Sequence, residues 1–189
     1  MSEVLKQLEL HLSDRSLVSL RRDEIDENSL QGFILGYSDE LTLIQHIYDF
    51  NHEGLNVVNT PDITSIDSTD TAQLHRLILA EEGLIPDIGP FDDAPLSAWK
   101  DLLGYFAATN PIVILECEQP EDDVFLIGRI ARLTDYEAHI HYFNGAAEWE
   151  ADPRKMTYEY ITRFQVFTNY TNKYQAYFER HPERDFLGK

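Results

Sequence analysis

The sequence predicts a mainly β, α+β protein made of two tandem small modules, each flanked by helices. Three observations carry that expectation. First, the chain repeats itself. Leu17-Val18-Ser19-Leu20 leads through an acidic stretch to Gly32-Phe33-Ile34-Leu35-Gly36-Tyr37-Ser38-Asp39, and Ile112-Val113-Ile114-Leu115 leads through another to Gly128-Arg129-Ile130-Ala131-Arg132-Leu133-Thr134-Asp135. The offset is 95 from Val18 to Val113 and 96 for Gly32/Gly128, Ile34/Ile130, Asp39/Asp135 and Ile44/Ile140. It is 93 for Phe50-Asn51 against Phe143-Asn144 and 98 for Ile63-Thr64 against Ile161-Thr162. These drifts fall where loops are expected, and loops absorb length changes at small entropic cost. Second, apolar residues at helical spacing flank each copy. Val4, Leu5, Leu8 and Leu12 precede the first; Trp99, Leu102, Leu103 and Phe106 precede the second. Leu74, Leu77 and Ile78 follow the first, and Tyr174, Tyr177 and Phe178 follow the second. Third, short β-rich runs separated by turn residues fill the space between.

The elements follow in order. Ser2 and Glu3 suit the start of a helix over 3–12, and Ser13-Asp14-Arg15-Ser16 breaks it. Strands are expected over 17–21, 30–37, 41–50, 55–59 and 63–66, with a polar hairpin loop at 22–29 and turns at 38–40 and 51–54. A helix over 71–82 can end on Gly83. Residues 85–96 hold three prolines, a glycine and three aspartates and read as a linker, giving modules at 1–84 and 97–189. Ser97 caps a helix over 98–109 that stops before Pro111. Strands are expected over 112–117, 124–133, 138–143, near 148–149 and over 160–167, then a helix over 171–180.

Composition sets the outer limits. A hydrophobic content of 43% in 189 residues is enough for a packed core, so the chain is globular and not disordered. The net charge of −19 repels phosphate backbones and anionic membranes at long range, so nucleic acid and membrane are unfavoured partners. Only 5 Lys and Arg precede Ala94 and 10 lie from there on, so the first half is the more acidic. A single cysteine, Cys117, precludes an intramolecular disulfide. Flanked by Glu116 and Glu118, it reads as a structural strand cysteine rather than a nucleophile. The first residues lack the charged-then-apolar signal pattern, and a cytoplasmic location is expected.

Five short strands meandering through tight turns, with a helix after the last, resemble the small open β-barrels of SH3-like and Sm-like type, here in duplicate as in bacterial proteins of that double-barrel kind. The resemblance is architectural and covers most of each half. It implies two tandem open barrels and a role in recognising peptides or proteins. In Sm domains an aspartate of the first motif is followed by an asparagine that contacts RNA. Asp39 and Asp135 fall near the aspartate position, one residue out of register, and Thr42-Leu43 and Ala138-His139 stand where the asparagine would be. That departure, with the charge, ranks an Sm-like RNA binder last.

Two sets of side chains carry possible chemistry. Asp23, Glu24, Asp26 and Glu27 in the first half, and Glu118, Glu121, Asp122 and Asp123 in the second, are acidic stretches at corresponding places. Neither matches a calcium loop, and both read as solvated hairpin tips or as docking points for a basic protein. Glu137, His139 and His141 alternate on one face of one strand, a ligand set that zinc accepts, though no third and fourth ligand stand in motif spacing. The matching first-half positions are Leu41, Leu43 and Gln45, so that strand reads as buried on both faces. No glycine-rich phosphate loop or nucleophile elbow occurs, and no cofactor is expected. The aromatic C-terminal third, from Tyr158 to Phe178, reads as core packing. The sequence therefore favours a non-enzymatic protein-binding module of adaptor or toxin-neutralising type, ahead of a metal-dependent protein using the His-x-His strand.

Overall fold

The structure is a computed structural model that describes residues 2–86, 91, 93–118 and 123–185. It is mainly β, and the chain divides into two compact units, Met1–Ala98 and Trp99–Lys189. Of the expected linker, 87–90 and 92 lie outside the described residues.

The first unit opens with α1 (Glu3–Asp14). The Ser2 hydroxyl accepts from the Leu5 amide, satisfying one donor that the helix itself leaves open. The helix ends at Arg15, which takes φ 49° and turns its own amide onto the His11 and Leu12 carbonyls. There follow β1 (Leu17–Arg22), β2 (Asp26–Tyr37), β3 (Leu41–Tyr48), β4 (Asn51–Asn59), a one-turn 3-10 helix (Thr60–Asp62), β5 (Ser65–Asp67) and α2 (Asp70–Glu81). Within this unit the strands are antiparallel in the order β5-β1-β2-β3-β4, and the sheet is not closed. Helix α1 packs on β2 and β5, and α2 packs on β1. Leu8 of α1 meets Val18, Leu20, Leu30, Ile34, Ile44, Val58, Ile63 and Ile66 in one core. Each such side chain contributes about 1.5–3 kcal/mol on leaving water.

The second unit consists of α3 (Trp99–Ala107), β6 (Val113–Cys117), β7 (Val124–Leu133), β8 (Glu137–Tyr142), β9 (Arg154–Thr157), a 3-10 turn (Tyr158–Tyr160), β10 (Arg163–Val166) and α4 (Asn169–Arg180). Its strand order is β10-β6-β7-β8-β9, again antiparallel, with α3 packed on β7. Phe178 of α4 sits with Ile112, Ile114, Ile127, Phe143 and Ala147, edged by Trp149, Tyr174 and Tyr177.

Numbered from their own first strands, both units read 5-1-2-3-4, and the likeness reaches single residues. In each, the second strand carries one extra residue, Leu35 between Ile34 and Gly36, and Ala131 between Ile130 and Arg132. Ser38 and Thr134 close the next turn in the same way. Each hydroxyl accepts from two amides, Glu40 and Leu41 in one unit, Tyr136 and Glu137 in the other. Arg15 and Asn110 both take left-handed φ, 49° and 48°, before the first strand. Thr69 and Thr168 cap the closing helix, accepting from Ala72 and Thr171.

Several sequence expectations need correction. The first hairpin loop is short, and β2 begins at Asp26 rather than near Leu30. The turn expected at 51–54 lies instead at Asp49-Phe50, both at positive φ (44° and 62°), so Asn51 to Gly54 are strand. That is the twist a two-residue hairpin demands, but Asp-Phe is not a sequence that advertises it. In the second unit, the strand expected near 148–149 is a single bridge between Phe143 and Trp149, and β9 starts at Arg154. Asn144 explains the detour: its Oδ1 accepts from the Ala146 and Glu148 amides and holds a turn there. Finally, Leu74 and Leu77 are not core. Each is 57% exposed, and α2 buries Ala72 and Leu79.

Two glycines admit no side chain. A Cβ on Gly32 would overlap the Gln45 carbonyl oxygen, and one on Gly128 would overlap that of His141, whereas Gly145 has no atom within 4 Å of the same position. Gly32→Ala and Gly128→Ala should therefore each lose about 1–3 kcal/mol, and Gly145→Ala less than about 0.5 kcal/mol, in urea titrations. A Gly32→Ala or Gly128→Ala variant as stable as the wild type would remove the close approach from the account.

Candidate binding surfaces

The acidic hairpins do two jobs at once. In the first unit, Thr64, just before β5, returns to the β1–β2 turn. Its amide donates to the Arg21 carbonyl (2.9 Å), its hydroxyl accepts from the Asp23 amide (3.2 Å), and the same hydroxyl donates to Asp23 Oδ2 (2.8 Å). Arg21 closes on the other carboxylate oxygen, Nη2 to Oδ1 at 2.7 Å. The second unit repeats the arrangement with different acids. The Thr162 amide donates to the Glu116 carbonyl (2.9 Å), its hydroxyl accepts from the Glu118 amide (3.0 Å) and donates to Glu118 Oε2 (2.8 Å). Arg163 lies 3.6 Å from Glu116 and 3.7 Å from Glu118. Asp23 and Glu118 thus fasten the fifth strand to the first hairpin. The hydrogen bond from Arg21, then that from Thr64, hold the Asp23 carboxyl below its usual range.

The rest of the first acidic set faces outward. Glu24 and Glu27 are exposed, and Asp26 accepts from the Asn28 amide and side chain across its own turn (2.9 and 3.0 Å). In the second set Asp123 is exposed, and Glu121 and Asp122 lie outside the described residues.

The strand set also comes together as its alternation predicts. Along β8, Ala138 and Ile140 are buried while Glu137, His139 and His141 share the other, half-buried face. Glu137 is engaged by its own neighbours. His139 Nε2 lies 2.8 Å from Glu137 Oε1, and Lys155 Nζ lies 3.3 Å from the same oxygen. The His139 hydrogen bond draws the Glu137 carboxyl below its ordinary value, with Lys155 adding to it. Among the described residues, no group of three or more His, Cys, Asp or Glu side chains is placed to hold a metal ion. The first-unit positions Leu41, Leu43 and Gln45 are buried, and Gln45 Nε2 donates to the Gly54 carbonyl at 2.9 Å. Thr42 and Ile44 on the opposite face are buried as well, so β3 is covered on both sides.

Sequence reasoning missed three features here. It passed over Thr64 and Thr162, although their alignment at offset 98 held the signal. It took Arg129 for an ordinary strand residue. That side chain is 7% exposed and inserts between the Asn110 carbonyl (Nη1 to O, 2.5 Å) and Asp185 (Nη2 to Oδ2, 2.9 Å). It also read α2 as an inward stripe. Within the described residues the fold is a mainly β, α+β protein whose units share one strand order. No family model matches the chain, and neither a curated protein nor a solved structure does.

Thr162 is buried and Thr64 exposed, so their loss should differ. Thr162→Val is expected to cost about 1–3 kcal/mol, because the Glu118 carboxylate loses a hydroxyl donor. Thr64→Val should cost less and depend on pH. Asp23 has a depressed folded pKa, so its contribution is present above its unfolded value of about 3.9 and is lost as pH falls through the lower folded one. The gap between wild type and Thr64→Val should therefore narrow in urea titrations carried from neutral pH down toward about pH 3. A gap independent of pH would detach Asp23 from the clamp.

Proposed function

We propose that the protein is a non-enzymatic binding module that recognises a basic protein through the acidic surface of its first unit. The observation that carries the reading is how little of that unit's charge is neutralised from within. Residues 1–98 contain 19 Asp and Glu against 5 Lys and Arg, a net −14 of the chain's −19. Of those five cations Arg22 is 1% exposed, and Lys6 and Arg21 pair with the adjacent acids Glu3 and Asp23. The second unit has 15 acids against 10 bases, a net −5. Such a field speeds the encounter with a cationic partner and rejects anionic ones. The shared strand order, the matched bulges and the matched threonine clamps support a second element of the reading. In it, the two units are diverged copies of one SH3-like or Sm-like open barrel, a class suited to recognising peptides and proteins. Adaptor and toxin-neutralising roles both fit this chemistry.

The test is capture from lysate of the native host at moderate salt, comparing wild type with a Glu24→Gln, Asp26→Asn, Glu27→Gln variant. A basic protein retained in stoichiometric amount, released by added salt and held about threefold or more weaker by the variant, is the expected result. Retention of no basic protein, or retention indifferent to both salt and the variant, defeats the reading.

A further inference from the structure

Helix α2 exposes two leucines that its fold does not ask for. Leu74 and Leu77, three residues apart, share the solvent side of the helix, each 57% exposed, while Ala72 and Leu79 face the core. The equivalent helix α4, aligned on the capping residues Thr69 and Thr168, carries Lys173 and Ala176 at those positions. A helix that docks on the same strand order with lysine and alanine there shows that leucine is not needed to hold the element in place. Beside the helix, the β3–β4 hairpin contributes a further exposed apolar side chain. Phe50, at the turn and 37% exposed, packs its ring on His75 of α2 at 4.7 Å. His52 Nε2 lies 2.6 Å from the Leu84 carbonyl, a second tie between hairpin and helix end. The Phe50 and helix portions are thus fixed relative to each other before any partner arrives.

The rim of this surface is acidic. Asp70 lies in the first turn of α2, Glu81 and Glu82 at its end, and Asp49 and Glu53 beside Phe50 in the hairpin; all but the half-buried Glu53 are exposed. The cation on the helix is Arg76, whose Nε donates to the Arg15 carbonyl at 2.6 Å. Carboxylates at the negative end of a helix, Glu81 and Glu82 on α2, oppose the helix dipole and are better satisfied by an incoming cation. An apolar centre ringed by carboxylates selects a partner with apolar anchors and cationic flanks.

Resting on the reading above that the partner is basic, we propose that Leu74, Leu77 and Phe50 form the docking face for an amphipathic basic helix of that partner. Its apolar residues, at a spacing of three and four, lie on the two leucines, and its lysines or arginines meet Glu81, Glu82 and Asp70.

The experiment uses the full chain and two synthetic peptides of identical leucine and lysine composition. One has leucines at helical periodicity, the other has them scrambled. Binding is followed by calorimetry at about 0.15 M salt, where long-range charge effects are damped. The periodic peptide should bind about tenfold or more tightly than the scrambled one, and Leu74→Gln/Leu77→Gln should abolish that preference. Both positions are exposed, so the variant should keep the wild-type urea midpoint, and a matched midpoint is required before its binding is compared. Glu81→Gln/Glu82→Gln should weaken both peptides and flatten the salt dependence. Equal affinity for the two peptides, or a periodic preference that survives Leu74→Gln/Leu77→Gln, overturns the docking face while leaving an acidic, basic-partner surface standing. Failure of both peptides to bind overturns both readings. A leucine-dependent preference indifferent to salt and to Glu81→Gln/Glu82→Gln removes the basic partner and overturns the proposal as stated.

Discussion

The return of the fifth strand to the first hairpin is the constraint on which each unit rests. A meander of four strands leaves the first strand with an unpaired edge, and β5 or β10 covers it. Those strands are only three and four residues long, too short to be held by ladder hydrogen bonds alone. One threonine supplies what the ladder lacks. Its amide extends the pairing by one bond, and its hydroxyl both accepts from and donates to the turn that joins the first two strands. Because the fifth strand is fixed there, the helix that follows is fixed too. Thr69 caps α2 two residues after β5 ends, and α2 comes down on β1. The hairpin acid, the threonine and the position of the closing helix are therefore a single unit of structure, and they recur in both halves with aspartate exchanged for glutamate.

Much of the order of strands and helices was legible in the sequence because it rests on periodicity and on punctuation. Strand β7 falls on 124–133 as expected, and the first helix starts after Ser2, whose hydroxyl accepts from an amide; the helices expected from 71 and 171 begin slightly earlier, at Asp70 and Asn169, after the capping threonines Thr69 and Thr168. The repeat itself was visible at Gly32 and Gly128, and the physical reason is now plain: at both places a neighbouring carbonyl occupies the space of a Cβ. The Asp49-Phe50 turn was not legible. Its two positive φ values are imposed by the twist of β3 and β4, and neither residue type announces them. The Asn144 turn was hidden for a related reason, since an asparagine after a phenylalanine reads the same in Phe50-Asn51 and Phe143-Asn144. In one unit that asparagine enters a strand and in the other it caps a loop. Burial at Arg129 was illegible as well, because its partners, the Asn110 carbonyl and Asp185, are distant in sequence.

The candidate surfaces divide along the same line between local and tertiary causes. Alternation alone put Glu137, His139 and His141 on one face, and they are on one face. What alternation could not convey is that Lys155, on the neighbouring strand, would join His139 at the Glu137 carboxylate. For the acidic hairpins, composition exposed the charge and concealed the division of labour. Asp23 and Glu118 are drawn into the clamp by threonines 41 and 44 residues away, and among the described residues of these hairpins Glu24, Glu27 and Asp123 stay exposed.

The differences between the two units carry more functional weight than their likeness. Where the fold needs a residue, the units agree: glycine at 32 and 128, threonine at 64 and 162, a hydroxyl at 38 and 134. Where they disagree, the fold tolerates either choice, and the choice reflects something else. Strand β3 has Leu41, Leu43 and Gln45 buried where β8 has Glu137, His139 and His141 half-exposed, so the corresponding face is buried in one unit and half-exposed and polar in the other. Helix α2 displays Leu74 and Leu77 where α4 displays Lys173 and Ala176. An exposed leucine costs solubility and returns nothing to the folding of its own helix, and two of them in the more acidic unit lie beside carboxylates that have few cations of their own. Stability of the isolated chain explains neither the leucines nor the charge. The proposed partner, with apolar anchors and positive flanks, would account for both.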